Sequence, residues 1–400
     1  MAGRVVPINM DAAFSDQIRN FARDFAEKEI GYELADVLDR EDKYPLDLVR
    51  RMGKLGLIGV SFPLEYGGAG LGALPWVMVE EEVSRVSAGV GLILDVQGGL
   101  ATDTILTFGS EKQKQNYLPG LLSGGIIGAF GLTESHAGSD TAGMRTKAVL
   151  KGNEWVLNGE KIFITQGAVA DVVTVFANTG VRKKDGRPLI SAFIVENGTP
   201  GFTAKKMPRM LGHHASITSD LIFEDCRIPK ENLIGEEGKA MTYFLSTLDR
   251  GRLSISGIAL GVHQAALEAA IHYTGKTPKD AKEFSMQELI YYGQAIPTQG
   301  KEFTVADIAT ELAASRALVY QAAQAYDIGS PDKTMKAAMA KLYSSEAAFR
   351  AANFAVNIKG EENEDPRYPA DRLLRDAKLL KIGEGTSQIQ KLVIARELLK

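Results

Sequence analysis

From Asp11 to about Leu122 the apolar residues recur at spacings of three and four, as in "DAAFSDQIRNFARDFAEKEI", and that spacing predicts helices. "PLDLVRRMGKLGLIGVSF" opens with proline at a helix start, and "PLEYGGAGLG" is a glycine-rich break before another helical run. At Gly128 the period changes. "EWVLNGEKIFITQGAVADVVTVFANT" alternates and carries β-branched residues around Asn-Gly, a hairpin signal. "LISAFIVE", "FTAKKM" and "SDLIFEDCRIP" continue the alternation to about Gly235. From Met241 the helical spacing returns in "LSISGIALGVHQAALEAAIHY", "FTVADIATELAASRALVYQAAQAY" and "MKAAMAKLYSSEAAFRAANFAVNI". The order is helices, a β block, then helices, with no internal repeat and no low-complexity linker. A β block held between two helical domains leaves clefts at its edges, where ligands commonly bind.

Composition narrows the function. Four hundred residues with 45% hydrophobic content can bury a large core spread over two or three domains. A net charge of −4 without a polybasic block leaves no electrostatic footprint for nucleic acid or an anionic membrane. The single cysteine, Cys226, excludes an internal disulfide and reads as a packed strand residue. The N-terminus has neither a signal-peptide core nor a transit-peptide pattern, and no apolar run approaches a membrane span. The expectation is a soluble cytoplasmic protein. Five scattered histidines support no metal site, and the phosphate-loop, GxGxxG and G-x-S-x-G patterns are all missing.

Three stretches carry candidate chemistry. "KIGEGTSQIQK" sets Glu384 between two glycines, either as an acid at the start of the helix that follows or as a base where the backbone leaves room for a ligand. "FGLTESHAGSD", Phe130 to Asp140, is rich in small and hydroxyl residues where helix gives way to sheet, so it is a turn or a ligand-binding backbone. "GVGLILDVQGGL" puts Asp95 in an otherwise apolar helix, where an acid is costly unless partnered. It either pairs locally or touches a substrate, with Gly98 and Gly99 widening the pocket.

"FGLTESHAGSD", "GEKIFITQGAVAD", "FEDCRIPKENLIGEEGKA", "LDRGRL" and "YPADRLLRDAKLLKIGEGTSQIQKLVIARELL" occur in an order and spacing that resembles the acyl-CoA dehydrogenases over nearly the whole chain. The resemblance implies a mainly α fold with a central β domain: an N-terminal helical domain at 1–127, a barrel-like or sandwich β domain at 128–238, and a C-terminal four-helix bundle at 239–400. It implies an FAD enzyme that removes two hydrogens from an acyl-CoA thioester. Its electrons would pass to an electron-transferring flavoprotein, and it would assemble as a homotetramer. Glu384 matches the family's base, with Gly385 beside the thioester; the alternative position on the helix of "LDRGRL" is Gly251 here. Phe130, Leu132, Thr133, Phe163 and Thr165 match residues around the flavin ring, with Phe163 where tryptophan is usual. Gly138 and Ser139 match positions near the pyrophosphate and pantetheine, Asp249 and Arg252 the CoA chain, and Thr386 and Gln388 the ADP portion. Arg252 is also expected to pair with Glu134 in the interior.

Two departures fall on one place. Where the family has an arginine for the FAD pyrophosphate of a neighbouring subunit, this chain has an insertion, with Leu289 at the arginine and Tyr292-Gly293 after it. Lys276, Lys279 and Lys282 in that insertion are candidate replacements. "NIKGEENEDPRYP" keeps Asn357 and Gly360 of the loop that touches the same ADP portion, but brings Glu361, Glu362, Glu364 and Asp365 towards a diphosphate, an unfavourable juxtaposition. The alternatives are a non-catalytic subunit of a hetero-oligomer, or an acyl-CoA oxidase or enoyl-CoA reductase on the same scaffold. Asp95 hints at a cyclic or polar acyl group.

Overall fold

The computed structural model describes residues 12–182, 184, 186–275 and 298–400. Helices α1 (Ala12–Phe25), α2 (Gly31–Glu41), α3 (Leu46–Lys54), α4 (Ala73–Val86), α5 (Ala88–Asp95), α6 (Thr102–Phe108) and α7 (Glu111–Leu122) form the first body. α4 is buried on every side, as expected of a helix without a polar face. α5 runs into α6 through a wide π-helical turn, Val96–Ala101, a local distortion that often accompanies a functional site. Its Gly98 and Gly99 do not widen a pocket. A Cβ on Gly98 would stand 2.8 Å from the Trp76 ring and from the Ile58 carbonyl, and one on Gly99 3.0 Å from Asp95 Oδ1. The glycines admit Trp76 and Asp95 instead.

Among the described residues the β block has eight strands: β1 (Gly128–Gly131), β2 (Lys147–Lys151), β3 (Glu154–Thr165), β4 (Val172–Val181), β5 (Pro188–Glu196), β6 (Phe202–Lys206), β7 (Thr218–Pro229) and β8 (Leu233–Ile234). They run in the order β6-β7-β3-β2-β4-β5-β8, with β1 parallel to β4. The Asn-Gly expected to turn a hairpin lies inside β3, where Asn158-Gly159 sits at a register shift against β7. The hairpin turns one step earlier, at Gly152-Asn153, between the paired Lys151 and Glu154. Both sites carry a glycine with positive φ, +63° and +144°, so a turn and a bulge have similar local chemistry. Cys226 is fully buried in β7, as expected.

The last body comprises α8 (Ala240–Tyr273), α9 (Thr298–Asp327), α10 (Lys333–Lys359), α11 (Ala370–Leu380) and α12 (Ser387–Leu398). α8 and α10 meet along small residues such as Ala259, Ala266, Ala348 and Ala352, all fully buried, which lets the two backbones come close. Contrary to the sequence reading, α8 is long and apolar enough to cross a membrane, yet 78% of its apolar window is buried inside the molecule. It is a core helix, packed between α4 and α10. The loop before β7 ties all three bodies together. The backbone N–H of His213 donates to Asp376 Oδ1 on α11 at 2.6 Å, and the His214 ring meets Asp39 Oδ1 on α2 at 2.8 Å.

Candidate active site

Glu384 sits in the turn between α11 and α12 with φ +55°, and Gly385 follows at φ +98°. A left-handed glutamate is uncommon and costs about 1–2 kcal/mol, so the surroundings must enforce it. Only one flanking glycine is required, because a Cβ on Gly383 would meet nothing closer than 3.7 Å. The helix-start reading of Glu384 fails: the cap of α12 is Thr386, whose hydroxyl accepts from the Ile389 N–H at 3.3 Å. Both Glu384 carboxyl oxygens are buried, and among the described residues none donates to them apart from the facing acid Asp95 when protonated. They lie against Gly251 of α8, where a Cβ would fall 2.0 Å from Oε2. Gly251 therefore has no alternative residue while Glu384 points there.

Asp95 is fully buried, and among the described residues no neutral or cationic donor reaches either of its oxygens. Its carboxyl faces that of Glu384, and the two share a hydrogen bond once either acid carries the proton. Beyond it lies Glu80 of α4, also fully buried, held by Trp76 Nε1 at 2.9 Å and Ser254 Oγ at 3.0 Å through one oxygen, its other oxygen unpartnered. Burial first, and the Asp95 charge second, push Glu384 well above the usual carboxylate range; Lys341 and Arg252 pull it back. Burial pushes Asp95 itself to about 6.

Arg252 does not pair with Glu134. It donates to Asp249 one helical turn earlier, and Thr334 Oγ1 holds the other Asp249 oxygen at 2.6 Å. Glu134 belongs to Lys161, whose Nζ donates to Glu134 Oε1 at 2.7 Å and to the Leu132 carbonyl at 3.0 Å. Burial draws the Lys161 ammonium down to about 8 even so. The Ile162 N–H donates to the Thr133 carbonyl at 2.9 Å, and Glu134 accepts from the Arg145 and Thr146 N–H groups. The turn after β1 is thus locked from within, with Phe130 and Leu132 buried and Gly138 and Ser139 exposed.

Phe163 has φ +57° at a register shift of β3, and its side chain is 52% exposed. An aromatic held in a left-handed conformation and left open is strain of the kind that marks a ligand site. Thr165 is two residues on, half-buried. The C-terminal residues divide. Thr386 and Gln388 open α12, where Ser387 Oγ donates to Glu346 Oε1 at 2.7 Å. Asn357 lies on α10 eleven positions past Glu346, about 16 Å along the axis at 1.5 Å per residue, with Gly360 as the cap at its end. In the acidic loop Glu361, Glu362 and Glu364 are exposed, and two of the four acids are bonded locally. Asp365 forms a fork with Arg367 at 2.7 and 3.1 Å, and Glu364 accepts from the Asp371 N–H at the start of α11. Leu289, Tyr292, Gly293 and the three candidate lysines lie outside the described residues.

Family models for the acyl-CoA dehydrogenase N-terminal, middle and C-terminal domains match residues 14–125, 129–226 and 238–399. The chain belongs to the acyl-CoA dehydrogenase family. It is 43% identical to an acyl-CoA dehydrogenase of Bacillus subtilis (strain 168) over 383 residues, 96% of this chain and 97% of that one. Among solved structures, butyryl-CoA dehydrogenase from Megasphaera elsdenii matches with a TM-score of 0.87 and 36% identity, covering 98% of this chain and 100% of that one. A structure described as the electron transferring flavoprotein of Acidaminococcus fermentans matches at 0.86 and 41%, covering 98% and 99%. As an acyl-CoA dehydrogenase it is an oxidoreductase acting on CH–CH groups, and FAD is its cofactor. The exposed, strained Phe163 and the open surface at Gly138, where an added Cβ would meet only the Thr133 methyl at 4.0 Å, fit a flat ring with a polar tail.

Sequence reasoning missed Lys341, Gln390, Lys161 and Glu80. The second lysine of the alanine-rich "KAAMAKL", and the first of three acids in "VEEEV", were the available signals; Gln390 had none.

Proposed function

We propose that this acyl-CoA dehydrogenase takes the proton beside the thioester carbonyl of an acyl-CoA on Glu384, leaving a 2,3-enoyl-CoA. The observation that carries this is the Glu384 carboxyl: buried, without a donor among the described residues other than a protonated Asp95, and given its space by Gly251. A dry carboxylate is a stronger base than one in water, because burial favours its protonated form. Bound along Phe130, Leu132, Thr133, Phe163 and Thr165, FAD supplies the acceptor for the β hydride. The Glu384 N–H donates to the thioester carbonyl, where charge develops as the proton leaves. Gly385 lets the thioester approach, and Asp249, Arg252 and Ser139 line the path of the CoA chain. Gly138, Thr386 and Gln388 contact the cofactor's diphosphate and ADP portions, with Asn357 and Gly360 acting across a subunit interface of a homotetramer. Electrons leave to an electron-transferring flavoprotein. The similarity to a butyryl-CoA dehydrogenase supports a short acyl chain, while the buried Asp95 supports one that is cyclic or carries a polar group.

With FAD loaded, butyryl-CoA and an artificial electron acceptor, the protein is expected to form crotonyl-CoA. Glu384→Gln should lower turnover by about 10²–10⁴-fold, the usual worth of a general base. Turnover within tenfold of the wild type would overturn the assignment.

A further inference from the structure

α10 is rich in alanine, and within it Lys341 is fully buried. A buried ammonium is costly unless it is bonded, and its Nζ donates to the carbonyl of Gly385 at 2.8 Å. Gln390 Nε2 donates to that same carbonyl at 2.9 Å, and to the Glu384 carbonyl at 3.3 Å. Two donors from two helices thus grip consecutive carbonyls in the left-handed turn that aims Glu384 at Gly251. Lys341 also puts a positive charge near the Glu384 carboxyl.

We propose that Lys341 is a positioning residue for the base: through the Gly385 carbonyl it locks the turn that presents Glu384, and its charge favours the ionised form of that carboxyl. This rests on the reading of Glu384 as base. The groups facing Glu384 are Asp95 from α5, Arg252 from α8 and Lys341 from α10; those facing Lys341 are Glu384, Arg252 and, from its own helix, Glu346. Asp95 opposes ionisation of Glu384, and the two cations favour it. Burial draws Lys341 down to about 8, so its charge is present at neutral pH and lost above that value.

The test compares FAD-loaded wild type, Lys341→Met, Lys341→Gln and Gln390→Leu by kcat, KM and the pH profile of kcat/KM. Lys341→Met is expected to lower kcat about tenfold or more with KM for the acyl-CoA little changed, as loss of alignment does, and to move the acid limb to higher pH. Lys341→Gln, which keeps a donor without the charge, should recover much of kcat but leave the limb displaced. Gln390→Leu should lower kcat with the limb in place. A melting temperature that falls while kcat and the limb stay put would make Lys341 merely structural and overturn the proposal. Should Lys341→Met fail to fold, an undisplaced limb in Lys341→Gln overturns it equally. Glu384→Gln, run alongside, separates the two claims: if it turns over like the wild type, the base assignment itself has failed.

Discussion

Three carboxyl groups, Glu384, Asp95 and Glu80, share dry surroundings, and among the described residues only Glu80 accepts from a donor other than a neighbouring acid, on one oxygen. Ionising neighbouring acids in a low dielectric is mutually unfavourable, so their protonation is linked. A charge on Asp95 therefore opposes ionisation of Glu384 and holds the proton there. Neutralising it removes that opposition. Asp95→Asn is therefore expected to move the acid limb of kcat/KM to lower pH, since Glu384 becomes available as a base earlier. A limb that stays in place would show that the Asp95 charge does not act on the base. Asp95 was conspicuous in the sequence because an acid on an apolar helix has to be explained. Glu80 is not, because it stands in a row of three acids with Glu81 and Glu82, and only the burial of α4 on all sides removes it from water.

At the scale of elements, the site depends on α8 approaching the Glu384 turn without a side chain between them. Gly251→Ala would place a methyl 2.0 Å from Glu384 Oε2, so the carboxyl must move aside. A misplacement of about 1 Å can cost about 10²-fold, and that loss in kcat/KM is expected with FAD still bound. An active Gly251→Ala would contradict the packing of α8 against the base. Periodicity made the helices and the β block legible, because cores are built on faces that repeat every 3.6 or 2 residues. It could not choose partners. Arg252 was assigned to distant Glu134 although Asp249, three residues away on the same helix, was in reach. Lys161 claims Glu134 because β3 brings it to the turn after β1. The hairpin was misplaced for a related reason: Gly152-Asn153 and Asn158-Gly159 are equivalent as local chemistry, and only pairing with β7 turns the second into a bulge.

Across the whole molecule, the base turn on α11–α12, its cation on α10, its neighbour on α5 and its space on α8 come from four helical segments spread along the sequence. Short motifs identified Glu384 but not the residues that hold it, since those are set by packing of whole bodies. The acidic loop shows the reverse case, alarming as composition yet partly neutralised by Arg367 and by the start of α11. The most direct measurement is the visible spectrum of the FAD-loaded protein, titrated with acyl-CoAs in the absence of oxygen, beside Glu384→Gln. The account predicts a yellow protein whose flavin band bleaches with at least one thioester in the wild type and hardly at all in the variant. A colourless protein that takes up no FAD, or a variant that bleaches as fast as the wild type, would contradict it.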